Sequence, residues 1–104
     1  MKIDLNKEIR TAIRTGKVYI GSNKTIVAVK NRKAKIVVIA SNCPNDIRQQ
    51  IESGRAHIIN YPGKSIELGH ALGYPFTIAS LAIINAGDSD IANYPRRIAE
   101  AGTS

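Results

Sequence analysis

Ile36-Val37-Val38-Ile39, set between Ala34-Lys35 and Ala40, is an unbroken run of β-branched side chains. A strand with one wet face alternates apolar and polar residues, whereas a run apolar throughout suits a strand covered on both sides. Thr77 to Ile84 has the same character. Lys17 to Ile20 and Ala56 to Tyr61 complete a set of four predicted strands.

Helical periodicity fills the intervals. Ile3, Leu5, Ile9, Ala12 and Ile13 share one face of a first helix that Gly16 ends. A second helix follows Gly21, with Ser22 or Asn23 as its cap and Ile26, Val27 and either Val29 or the stem of Lys30 as its apolar face. Asn45 to Ser53 is a third, with Ile47 and Ile51 one turn apart, and Ile66 to Leu72 a fourth, capped by Ser65. From Asn85 onward we expect a loop with a single helical turn, then a frayed tail over 92–104. Helices alternating with doubly covered strands predict a three-layer α/β/α sandwich with a four-stranded mixed sheet, as one domain with its core over 5–91.

Charge narrows the function. The chain of 104 residues carries a formal +7, and its first fifty residues hold 11 Lys/Arg against 3 Asp/Glu. The remaining residues hold 4 against 5. A positive excess confined to one half is the footprint of a polyanion binder, or of a surface tuned for solubility. With four Tyr, one Phe and no Trp, a broad stacking platform is not expected. The longest nearly apolar stretch, Phe76 to Ala86, is about half of a membrane span, and no signal peptide is read at Met1-Lys2-Ile3-Asp4. The one cysteine, Cys43, fits a reducing compartment.

Gly21-Ser22-Asn23-Lys24 lies where a strand enters a helix. There free amides, the positive helix end and Lys24 converge on an anion, unless the segment is an ordinary capped turn. Gly16 to Thr25 superficially matches a phosphate-binding loop, but Ser22 stands where the lysine is required. Lys30, Arg32, Lys33 and Lys35 either complement a helix C-terminus or meet a phosphate backbone. His57 and His70 have no partner that would activate a nucleophile, and no paired cysteines or HExxH pattern suggest a metal. Cys43 sits near a helix start that favours thiolate, or is a packed, inert thiol. No cofactor, small-molecule substrate or enzymatic activity is expected.

Four segments fall in order: Gly16 to Gly21 (GKVYIG), Ile36 to Pro44 (IVVIASNCP), Ile66 to Gly69 (IELG) and Ala86 to Ile91 (AGDSDI). Over about Leu5 to Ile91 the chain resembles the ribosomal protein L thirty e family, part of a wider kink-turn-binding superfamily. The resemblance implies an α/β/α sandwich that grips a kink-turn, a sharply bent RNA helix with an internal loop, in the ribosomal RNA of an archaeal or eukaryotic large subunit. The lack of a long basic N-terminal extension favours the archaeal one. It implies a cytoplasmic protein, monomeric when free. A kink-turn protein of a small-RNA-guided modification particle is the alternative. By position the implied contacts are Gly21, Ser22, Asn23 and Lys24, then Asn42 and Arg48, then Leu72, Gly73, Tyr74 and Phe76. Asn42 is either a base contact or the cap of the third helix, and Phe76 is either a stacking ring or the first core residue of the last strand.

Overall fold

The computed structural model describes residues 4–93. The elements are α1 (Leu5–Thr15), β1 (Lys17–Ile20), α2 (Ser22–Lys30), β2 (Ile36–Ile39), α3 (Asn45–Glu52), β3 (His57–Asn60), α4 (Ser65–Ala71) and β4 (Ser80–Asn85). A 3-10 turn, Ile91–Asn93, follows, as the sequence suggested. Ile3 and the tail from Tyr94 lie outside the described residues.

The four strands form one mixed sheet in the order β1-β4-β2-β3. β4 is antiparallel to both neighbours, and β2 is parallel to β3. Thus β1, β2 and β3 run one way and β4 alone returns. The doubly covered reading of β2 holds, because all four of its residues are buried. Ile36 and Val38 face a cluster with Leu5, Ile9 and Ala12 of α1 and Leu68 of α4. Val37 and Ile39 face a second cluster with Ala28 and Val29 of α2 and Ile51 of α3. Two helices therefore cover each side, and the three layers are as expected.

Several local expectations are corrected. β4 starts at Ser80, not Thr77. Before it, Ile78 N–H donates to Ser65 O and Ala79 O accepts from Ala40 N–H, so this chain is still tied to the loops around it. On α2 the buried face is Thr25, Ala28 and Val29, while Val27 is largely exposed. Thr25 turns inward because its hydroxyl returns to Gly21 O at 2.8 Å, which leaves only its methyl group for the core. Neither Ser22 nor Asn23 caps α2; Gly21 holds the cap position. Ser65 does not cap α4 but is its first residue; Lys64 holds the cap position, where the Glu67 carboxylate accepts from the Lys64 N–H at 2.7 Å.

The end of α2 is closed by backbone alone. Lys33 N–H donates to Ala28 O and Arg32 N–H to Val29 O, the paired bonds of a Schellman motif. Arg32 occupies its left-handed position at φ 59°, where glycine is the usual residue. A side chain there costs about 1–2 kcal/mol.

Candidate nucleic-acid interface

The direction of the strands gathers the predicted segments at one end of the sheet. Ile20 pairs with Leu81, Ile39 with Ser80, and Ile39 with Asn60. The C-terminal ends of β1, β2 and β3 therefore meet the N-terminal end of β4. Four connections share this rim: Gly21 after β1, Ala40 to Pro44 after β2, Tyr61 to Lys64 after β3, and Leu72 to Ala79 before β4. Loops on the carboxyl side of a sheet are a recurrent place for ligands.

The loops hold one another. Gly21 N–H donates to Ser80 O, and the Ser22 and Ser80 hydroxyls are 3.1 Å apart. Ser41 N–H donates to Gly63 O. Asn42 Oδ1 accepts from Ser65 N–H at 2.8 Å. This answers the cap reading of Asn42 with a correction. The cap position of α3 is Pro44, and Asn42 instead caps α4, because the loop after β2 leans over the α4 N-terminus.

Gly21, at φ 110°, makes the turn into α2, a backbone state that suits glycine. Beyond it Asn23 and Lys24 are exposed. With Tyr19 and Val27 they line an open groove of about 330 Å³. Lys17 Nζ lies 5.5 Å from the Tyr19 ring centre. The first turn of α2 has no side-chain cap, so its amides face outward with the positive helix end.

Across the rim, Gly73 turns at φ 85° and the Tyr74 and Phe76 rings stack, with centroids 5.1 Å apart and planes 24° from parallel. Phe76 is 52% exposed, so it is not the first core residue of β4. Tyr74 is half-buried against the core and backs the Phe76 ring, and the loop lies close on α4 at Gly69, where any Cβ would strike the Phe76 carbonyl oxygen. Leu72 differs from its neighbours. Its side chain belongs to the core, so it anchors the aromatic loop and does not line the rim.

Arg48 is also committed internally. Its guanidinium donates to Asn60 Oδ1 at 2.8 Å and Ala40 O at 3.2 Å, and lies 3.6 Å from the Glu52 carboxylate. It braces the ends of β2 and β3 from α3 and supports the rim from behind. Cys43 is buried beside it, and burial pushes its thiol upward, against a smaller pull from Arg48. It is a packed thiol.

Sequence reasoning overlooked Lys64, exposed where β3 leads into α4. The signal was present: a lysine between a glycine and a helix start, as at Lys24. Only the parallel pairing of β2 and β3 places that junction on the same rim.

The chain matches the Ribosomal protein L7Ae/L30e/S12e/Gadd45 family over residues 3–93. It is 50% identical over 91 residues to a Methanosarcina mazei protein named large ribosomal subunit protein eL30, covering 88% of each chain. A Methanosphaerula palustris protein of the same name is 42% identical over 95 residues, covering 90% of this chain and 99% of that one. Another, from Methanocaldococcus jannaschii, is 42% identical over 93 residues, covering 86% and 84%. Fold, motifs in register and near full-length identity agree, and the chain belongs to the ribosomal protein L7Ae/L30e/S12e/Gadd45 family.

Proposed function

We propose that this protein is a structural, non-enzymatic component of the large ribosomal subunit in the cytoplasm and that its rim binds a kink-turn of ribosomal RNA. The relatives' names support the subunit. The observation that supports the RNA reading is the meeting of unlike contacts on one rim. An uncapped helix start with Lys24 stands on one side, and the exposed Phe76 ring, stacked on a half-buried Tyr74, on the other. Straight duplex RNA offers phosphates but no free base faces. A kinked helix with an internal loop offers both, and protruding bases stack well on aromatic rings. Gly21, Ser22, Asn23 and Lys24 supply the phosphate contacts, Asn42 and Lys64 the polar middle, and Gly73, Tyr74 and Phe76 the stacking wall.

Titration of a kink-turn RNA and a straight duplex of equal length tests this. The kinked RNA should bind more tightly, with an affinity that falls steeply between about 50 and 200 mM salt as counterions are released. Equal affinity for the two RNAs would overturn the rim as a kink-turn site. Failure to co-sediment with large subunits in high salt would overturn the assignment to that particle.

A further inference from the structure

The end of the sheet opposite the rim carries its own concentration of charge. Lys30 closes α2, Arg32, Lys33 and Lys35 lead into β2, and Arg55 follows α3 just before β3. All five are exposed, and among the described residues none is in an ion pair. Lys30, Arg32 and Arg55 converge on a recess of about 240 Å³ whose floor is Val29, Ser53 and Gly54. The nearest carboxylate in sequence, Glu52, is engaged with Arg48.

A helix-capping role does not account for this cluster. The carbonyls of Val27, Ala28 and Val29 near the end of α2 already accept backbone N–H groups from Asn31 to Ala34. The position between them that suits glycine holds Arg32 at φ 59°. A strained residue kept where a relaxed one would fit points to use of its side chain. The surface is also unlike a protein-binding patch, which has an apolar centre. The large exposed hydrophobic residues described are Val27, Ile66 and Phe76, and none of them is here.

We propose that this end of the sandwich is a second RNA surface, which holds the phosphate backbone of a plain A-form helix independently of the rim. A-form RNA is met largely through shape, 2′-hydroxyls and phosphates, so exposed cations around a shallow polar recess suit it. Two separate surfaces would let one small protein join a kinked element to a regular helix from another part of the RNA. The inference rests on the reading of the protein as part of an RNA assembly but not on the kink-turn specificity of the rim.

The test is binding of a fully paired RNA duplex, without kink or internal loop, to the wild type and to a Lys30→Gln/Lys33→Gln/Arg55→Gln variant. Neutralising three phosphate contacts should lower duplex affinity by about tenfold or more and reduce the salt slope by roughly two to three. Affinity for a short-stemmed kink-turn RNA should hold. A second variant, Arg32→Gly, removes both the charge and the left-handed strain. It should keep or raise the melting temperature while weakening duplex binding. Unchanged duplex affinity in either variant, with the fold confirmed by circular dichroism, overturns the proposal. So does tighter binding of polyglutamate than of duplex at matched charge, which would mark the surface for an acidic protein. If the triple variant loses duplex binding in a protein that shows no kink-turn preference, the patch stands and the rim reading falls.

Discussion

Asn42 and Ser65 are joined by a 2.8 Å hydrogen bond from the Ser65 N–H to Asn42 Oδ1, which fastens the loop after β2 to the start of α4. One amide side chain thus has its oxygen committed to the fold. Asn42→Asp keeps that acceptor and adds a charge that a helix N-terminus tolerates well, so stability should hold. The same change removes the N–H₂ donor and repels phosphate, so RNA affinity should fall. Asn42→Ala should cost about 0.5–2 kcal/mol of stability through the lost cap. Chemical denaturation beside RNA titration separates the two, and normal binding by the aspartate variant would remove Asn42 from the interface.

Lys24→Ala should weaken RNA binding and reduce the slope of log affinity against log salt by about one, as expected for one phosphate contact. Its side chain is exposed, so the melting temperature should not move. An unchanged slope would leave Gly21 to Lys24 as a simple turn.

For Phe76, exposure decides what to expect. A ring half in solvent contributes little to the core, and Phe76→Leu keeps most of its apolar surface. The flat face is what disappears, at a cost in RNA affinity on the order of 1–3 kcal/mol if a base stacks there. A fall in melting temperature with intact affinity would contradict the stacking role.

Gly69→Ala should act on both properties together. The new methyl group meets the Phe76 carbonyl oxygen, a backbone atom that cannot step aside without moving the aromatic loop. Overpacking of this kind costs about 1–3 kcal/mol. Denaturant midpoint and RNA affinity should both drop, whereas Gly69→Ser with near wild-type values would show that the loop adapts.

Cys43 is buried, and burial raises its thiol above the ordinary range. The folded state then holds this proton more tightly than the unfolded state. The stabilisation is present below the unfolded thiol's range and is lost as pH rises through the folded value. Native protein at neutral pH should react with a thiol reagent only at the rate at which it opens. Stability should decline in alkali less in Cys43→Ala than in the wild type, as thermal melts across that range would show.

The layers were legible because they depend on one-dimensional patterns. Ile36 to Ile39 needs no partner to announce a doubly buried strand. Boundaries and caps were less legible, because they depend on neighbours distant in sequence. Thr77 looks like strand until Pro75 and the Ile78–Ser65 bond hold that segment outside the sheet. Ser65 looks like a cap until Asn42, from another loop, performs the task. Val27 looks like core because the pattern gives no hint that a threonine hydroxyl can be satisfied by Gly21 O and buried in its place. The rim segments were recognisable singly, but Arg48 bracing Asn60 and Lys64 joining the edge follow only from the strand order.

That order has a consequence for synthesis. β4 lies between β1 and β2 in space but comes last of the four in the chain. An emerging polypeptide can form β2 beside β3, but β1 has no neighbour until about sixty further residues have left the ribosome. Contacts of such long sequence separation form slowly, and here they also bring Gly21 to Ser80. Acquisition of the rim should therefore be all-or-none: a nascent chain halted before Ser80 has Lys24 and Lys64 but lacks the strand that joins their loops, and topology alone delays the rim until β4 has emerged.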